Sequence, residues 1–318
     1  MNGSKMNSFA GVIAACALTG ALTVGATLRL GSGPTESARA VPAIATEEYG
    51  KRLLAQTQEL LGPDVADPKL RYIGSRLSCG SCHLGTGTEP GTLSLPDAAL
   101  HYPRFSPRVG ASTTIEDRIN ECMQRSMNGR PLPKNSPEMI AMAAYVRSLQ
   151  DRAAAAGTAS PKAKEPPAFK TPKRAANLDA GKKILEKKCA ACHQADGSGL
   201  LAEANPIHGY VFPPLWGPDS FNTGAGMHRV LTSAKFIKAK MPLGRPDLTD
   251  DEAFDVAAYI NSQPRPEMAN LERDYPDRRT KPVDTGYGPF ADSFPLQQHR
   301  FGPFPPIEAY YKSTSKTR

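Results

Sequence analysis

The pentapeptide Cys-x-x-Cys-His occurs twice, as Cys79-Gly-Ser-Cys82-His83 and as Cys189-Ala-Ala-Cys192-His193. In this spacing two thiols can form thioethers to the vinyl groups of a porphyrin, and the His that follows is placed to ligate its iron. A group held by two covalent bonds does not dissociate, so the chain is expected to carry two permanent one-electron centres, each a covalently bound haem c. Paired cysteines can also be half-sites for structural zinc. The trailing His in both motifs, their wide separation and the export signal described below argue against that reading.

What such centres do depends on the ligand opposite each His. For the second haem the candidate is Met241, within Lys240-Met241-Pro242-Leu243-Gly244 and a few residues before the closing helix of its unit. Lys240 competes, because a neutral amine also binds ferric iron, although a lysine in such a place is by default a solvated surface residue. Met227 and His228 rank below both. For the first haem no Met-Pro pair occupies the same position. Met123, Met127, Met139 and Met142 are available, each more often core than ligand, and Cys122 is the alternative. Ile115, Ile119, Cys122 and Ser126 fall on one helical face. Arg118 and Arg125 flank Cys122, with Arg104, Arg108 and Arg130 nearby. A lone Cys on an apolar face is ordinarily an inert small hydrophobe, and an Arg-dense stretch is ordinarily a solvated basic face. Guanidinium neighbours, however, stabilise a thiolate. A thiolate on iron beside planar forks of donors suits an anionic sulfur substrate.

The elements that must position these residues are legible from caps and composition. A helical pattern runs from Thr46 to Leu61, with Thr46 as N-cap and Glu47 and Glu48 in its first turn. Thr113-Thr114-Ile115-Glu116-Asp117 starts the short helix of Cys122. Ser136-Pro137-Glu138 opens the helix that closes the first unit. In the second unit a helix over Asn177 to Lys188 leads into the haem motif. Thr249-Asp250-Asp251-Glu252 is a capping box for the closing helix, which Pro264 stops. Helix, haem motif, loops, helix is the plan of a cytochrome c fold, and it occurs twice. The expected fold class is mainly α: two cytochrome c-type haem domains in tandem, with an N-terminal export signal and a Pro-rich C-terminal extension. The divisions are 1–40 signal peptide or anchor, 41–152 first haem domain, 153–176 Ala/Lys/Pro-rich linker, 177–264 second haem domain and 265–318 extension. The extension is aromatic-rich, which argues against disorder. It shows no clear periodicity and is expected to wrap over the domains, with a frayed end around Lys312, Lys316 and Arg318.

Composition narrows the function classes. Only 40% of the 318 residues are hydrophobic, with 30 Pro and 27 Gly, which suits loop-rich chains whose core is largely porphyrin. The net charge of +8 is compatible with nucleic acid, a membrane surface or an acidic small molecule. The Lys and Arg residues are dispersed with no aromatic-basic platform, so nucleic acid is not an expected partner. Of six Cys, four are used by haem and Cys16 lies in the leader, so Cys122 has no partner for a disulfide. Lys5 precedes an apolar run from Phe9 to Leu28, an export signal, with Ala38-Arg39-Ala40 or Val24-Gly25-Ala26 as cleavage site. The run approaches the ~20 residues that span a bilayer. An uncleaved leader would therefore be the one membrane attachment of a periplasmic body.

The run Asn120-Glu121-Cys122-Met123-Gln124-Arg125-Ser126-Met127-Asn128-Gly129-Arg130, both haem motifs and Lys240-Met241-Pro242 together resemble the bacterial dihaem cytochrome c thiosulfate dehydrogenase family, over roughly residues 47 to 264. The resemblance implies an oxidoreductase that joins two thiosulfate ions to tetrathionate and releases two electrons. The first haem, between His83 and Cys122, would be the active site, with Cys122 carrying a thiosulfate-derived adduct. Arg108, Arg125 and Ser126 would hold sulfonate oxygens. The second haem, with His193 opposite Lys240 or Met241, would pass electrons to an external acceptor such as a soluble or membrane-attached cytochrome c. A Lys-to-Met ligand switch on reduction is a family feature that the adjacent pair could support. The extension after Pro264 has no counterpart in the resemblance. Two other readings stay open. One is a Sox-pathway sulfur-oxidising cytochrome subunit, acting on a carrier protein. The other is a dihaem electron-transfer cytochrome without catalysis, with Cys122 inert.

Overall fold

The computed structural model describes residues 47–91, 93–96, 102–157, 169–203 and 205–315. The leader with its cleavage sites and Cys16, the N-cap Thr46, the middle of the linker, Lys316 and Arg318 lie outside the described residues. The first unit comprises α1 (Glu47–Ala55), α2 (Thr57–Leu61), a hairpin of β1 (Arg104–Ser106) and β2 (Ala111–Thr113), α3 (Ile115–Arg125) and α4 (Pro137–Ala155). The strands pair antiparallel, with Arg104 opposite Thr113. The second unit comprises α5 (Leu178–Lys188), α6 (Ala190–His193), a short antiparallel pair of β3 (Leu200–Leu201) and β4 (Tyr210–Phe212), α7 (Val230–Lys240) and α8 (Asp250–Ser262). Two further helices follow, α9 (Leu296–Phe301) and α10 (Pro305–Ser315).

The helix starts follow their caps. Thr114 and Asp117 form a capping box on α3, Ser136 accepts from the Met139 N–H at α4, Asn177 accepts from Ala180 at α5, and Thr249 with Glu252 boxes α8. The single helix expected from Thr46 to Leu61 is instead two, broken at Gln56 (φ −121°, ψ 37°). Thr57 explains the break. Its hydroxyl bonds back to the Leu53 carbonyl at 2.7 Å, a pattern that bends helices, and accepts the Cys79 N–H at 3.1 Å. The kink thus ties the leading helix to the haem motif.

In each unit the leading helix crosses the closing one through a glycine. A Cβ on Gly50 would come 2.1 Å from the Ala141 carbonyl oxygen and 2.7 Å from Tyr145 Cβ. A Cβ on Gly181 would come 2.1 Å from the Asp255 carbonyl oxygen and 2.9 Å from Tyr259 Cβ. Only glycine permits so close a backbone approach. Both crossings use a Gly-Lys pair against an Ala-Ala-Tyr turn (Gly50-Lys51 with Ala143-Ala144-Tyr145, Gly181-Lys182 with Ala257-Ala258-Tyr259), a short repeat in the sequence that helical periodicity alone does not bring out. Around the first crossing pack Leu53, Leu54, Met139, Met142, Val146 and Leu149; around the second pack Leu185, Val230, Phe236, Phe254 and Ile260.

The extension departs from the expected irregular wrap. Phe301, Phe304 and Ile307, from α9 and the start of α10, are buried in the second unit's core, and α10 continues through Lys312 to Ser315. The Pro-rich run between Arg265 and Pro295 hides this pattern, because apolar side chains there are separated by turns and not by helical spacing.

Candidate active site

In the first unit Cys79, Cys82, His83 and Cys122 line one cavity of about 290 Å³, together with Ile115, Ile119, Met123 and Ser126. Burial pushes the Cys79 thiol up to about 11 and the Cys82 thiol up to about 12, with Cys122 adding to both. Such thiols are neutral at pH 7, an environment suited to thioethers. The His83 Nδ1–H donates to the Leu93 carbonyl at 2.7 Å, which leaves Nε2 as the iron-facing nitrogen. Burial holds the imidazole below its ordinary range, so it is the neutral, ligating form. These residues fit a covalently attached haem.

Helix α3 delivers Cys122 because its capping box orients the first turn and Ile115, Ile119 and Met123 are buried beneath it. Its C-terminal end is held by the second unit. Asn222, 2% exposed, donates its N–H to the Arg125 carbonyl at 3.1 Å and its Nδ2 to the Gln124 carbonyl at 2.8 Å.

Charged side chains at and beside the cavity alternate in sign. Arg118 Nη1 donates to Glu121 Oε2 at 2.9 Å, and the same oxygen lies 3.7 Å from Arg108 Nη1. Arg108 Nε is 4.0 Å from Asp274 Oδ2, and Asp274 Oδ1 accepts from Arg125 Nη2 at 2.7 Å. Three guanidiniums and two carboxylates leave one net positive charge. The Cys122 sulfur first, and Glu121 after it, hold the Arg118 guanidinium above its ordinary range in spite of burial. Arg108 is raised too: burial opposes its charge, and Tyr275 and Glu121 outweigh it. Glu121 Oε1 is buried without a hydrogen-bond partner.

Of the sequence-predicted residues, Cys122, Arg108, Arg125 and Ser126 all line this cavity. Arg125 is 9% exposed and already spends its fork on Asp274 and on the Gly224 carbonyl at 3.2 Å. Ser126 caps α3, its N–H on the Cys122 carbonyl at 2.9 Å. The four methionines weighed against Cys122 are all buried in the core, and Met123, Met127 and Met142 border the cavity. Sequence reasoning noted Arg118 as a neighbour of Cys122 but did not select it. Its position one helical turn before Cys122, on the cavity side, was the available signal. Asp274, Tyr275 and Tyr287 were missed, and nothing local to them marks their distant partners.

In the second unit the His193 Nδ1–H donates to the Pro213 carbonyl at 2.8 Å, the same arrangement as His83. Met241 follows the last turn of α7 and packs with Cys189, Trp216 and Met227 against the second core. Lys240 points elsewhere: its Nζ donates to the Pro90 carbonyl of the first unit at 2.8 Å and lies 3.8 Å from Glu89. His228 donates to the Thr223 carbonyl at 2.9 Å.

The SoxA/TsdA cytochrome c domain family matches residues 74–152, and the family of cytochrome c oxidase, cbb3-type, subunit III matches residues 176–260. The chain is 41% identical over 226 residues to a thiosulfate dehydrogenase of Allochromatium vinosum, covering 68% of this chain and 77% of that one. It is 41% identical over 213 residues to a thiosulfate dehydrogenase of Psychrobacter arcticus, covering 64% of this chain and 61% of that one. Among solved structures it resembles thiosulfate dehydrogenase (TsdBA) from Marichromatium purpuratum in its as-isolated form, with a TM-score of 0.64, 32% identity, and coverage of 80% of this chain and 51% of that one. The chain thus spans about three fifths of the Psychrobacter relative and half of the Marichromatium chain. Two tandem cytochrome c domains, each with a covalently attached haem c, account for both family matches.

Proposed function

The chain belongs to the thiosulfate dehydrogenase family, and from that premise we propose that it is an oxidoreductase joining two thiosulfate ions to tetrathionate in the first haem domain. The observation that carries this reading is the cavity shared by Cys122, His83, the first Cys-x-x-Cys thiols and the guanidiniums of Arg108 and Arg118.

In this reading Cys79 and Cys82 attach the first haem, His83 and Cys122 ligate it, and Cys189, Cys192, His193 and Met241 hold the second, with Lys240 as the alternative ligand. When bound, the haems supply one-electron acceptance, one electron each. The chain's residues do the rest. Two dianions must meet, and Arg118 and Arg108 offset their repulsion in a site of reduced dielectric. Ser126 and the remaining donor capacity of Arg125 lie beside them. The Cys122 thiolate bonds the outer sulfur of the first thiosulfate, and two electrons leave, giving a Cys122–S–S–SO₃⁻ adduct. The outer sulfur of the second thiosulfate attacks that sulfur, tetrathionate departs and the Cys122 thiolate is restored. Charge and electrons balance: two thiosulfate dianions give one tetrathionate dianion and two electrons.

The division of labour follows the domains, with the active site in 41–152 and electron exit to an external cytochrome c through 177–264. The apolar run after Lys5 supports an exported, periplasmic protein. Among the described residues no helix is long and apolar enough to cross a membrane.

A second reading is favoured by one observation: the family matching the first domain covers SoxA as well as TsdA. A Sox-type cytochrome acts on a sulfur carrier protein. A stopped assay of the purified chain with thiosulfate and a one-electron acceptor separates the two. Tetrathionate at half the electron yield is expected, and its absence with free thiosulfate would remove the proposed activity.

A further inference from the structure

The sequence beyond Pro264 follows both haem units, and part of it braces two arginines that line the first haem's cavity. Tyr275 is 5% exposed and has φ 58°, a left-handed backbone uncommon for an aromatic residue. Its N–H donates to the Arg108 carbonyl at 2.8 Å, its hydroxyl accepts from Arg108 Nε at 3.4 Å, and its ring lies 5.8 Å from that guanidinium. Asp274, 8% exposed, accepts from Arg125 Nη2 at 2.7 Å on one oxygen and from the Tyr287 hydroxyl at 2.6 Å on the other. Lys281, also buried, donates to the Tyr287 and Pro289 carbonyls at 3.0 Å each and so fixes the loop that carries Tyr287. A buried carboxylate, a phenol and a left-handed tyrosine converge on Arg108 and Arg125, of which the first unit itself braces only Arg108, through Glu121 at 3.7 Å.

We infer that Asp274 is a positioning residue for the substrate anion, aiming the Arg108 and Arg125 forks from the extension, so that the extension is part of the thiosulfate site. The inference rests on the proposed thiosulfate chemistry for the identity of the anion. Two carboxylates, Glu121 and Asp274, divide the work. Glu121 holds Arg118 and the near side of Arg108 within the first unit. Asp274 holds the far side of Arg108 and Nη2 of Arg125 from outside it.

The test is steady-state kinetics on the full dihaem protein carrying Asp274→Ala. Loss of a charged, buried brace on a substrate-binding fork should raise KM for thiosulfate about tenfold while kcat changes less than about threefold. Asp274→Glu should recover part of the loss. The electron paramagnetic resonance signal of the first haem should be unchanged, because no ligand is altered. A loaded Asp274→Ala protein with wild-type KM overturns the inference. If that variant does not load haem, Tyr287→Phe, which removes one hydroxyl, carries the test with an expected KM rise of about threefold, and an unchanged KM there overturns it equally. Failure of the chemistry is separate. A wild-type protein that makes no tetrathionate sinks the proposed activity, and calorimetric thiosulfate binding by wild type and the same variants then reads the positioning: weaker binding in the variants supports it, and equal or absent binding overturns it.

Discussion

Cys122 and Arg118 lie one helical turn apart on α3, and both line the cavity that His83 also lines. The reaction asks different things of them. Cys122→Ala removes the sulfur that bonds substrate but neither attachment cysteine. Tetrathionate formation is expected to fall by on the order of 10³-fold or more, with both haems still attached by mass spectrometry. The variant should also lose the His/thiolate resonance signal, which a His/Met haem lacks. Turnover retained in that variant would refute Cys122 as the reacting sulfur. Arg118→Lys keeps the charge and loses the planar fork. Its KM for thiosulfate is expected to rise about tenfold, measured beside an unchanged haem spectrum. At this scale much was legible: the motif spacing marked four cysteines and two histidines, and the helical face marked Cys122. Ranking the arginines was not legible. Arg108, Arg118 and Arg125 look alike along the chain, and only the location of Asp274 and Glu121 shows which carboxylate holds which guanidinium.

Each haem unit rests on a helix crossing that admits no side chain at one position. Gly181→Ala would place a Cβ 2.1 Å from a backbone oxygen of α8, which cannot rotate away. Overpacking of this kind costs about 1–3 kcal/mol, read as a lower midpoint in denaturant with the haem attached. A wild-type midpoint would mean that α5 shifts freely, contrary to the packing described. Met241, just past the end of α7, is the proposed thioether ligand of the second iron, and a thioether ligand raises potential. Met241→Ala is expected to lower the midpoint potential of the second haem by spectroelectrochemistry, slow electron exit and leave thiosulfate KM nearly unchanged. Helix starts were legible because caps are local. The kink at Gln56 was not, because its cause, Thr57 reaching the Cys79 N–H, spans 22 residues.

The molecule closes on itself through contacts distant in sequence. Arg76 meets Asp219 at 2.9 and 3.2 Å, Gln58 meets the His208 carbonyl at 3.1 Å, and Asn222 caps the helix of Cys122. The extension then joins both units. His228 sits where it does so: its ring faces Gly286, and Arg265 and Arg300 lie near it. Burial, followed by the Arg265 charge, holds this imidazole down to about 4. The sign follows from linkage. The unfolded chain takes up the proton below about 6.5 while the fold resists it, so stability is complete above that pH and is lost as pH falls from about 6.5 toward 4. Thermal midpoints against pH should show this slope, and His228→Gln should flatten it. A slope identical in that variant would assign the acid limb to other groups.

By itself the sequence determined the cofactor chemistry, the two-domain plan and the helical face that carries Cys122, because thioether spacing, helix caps and helical faces are set within a few residues of chain. The tertiary structure decided which carboxylates meet Arg108, Arg118 and Arg125, where Lys240 reaches and that residues 274 and 275 of the extension contact Arg108 and Arg125. Those outcomes depend on charges and hydroxyls brought together across 100 residues or more, a proximity that burial of the two cores enforces and that no local pattern encodes.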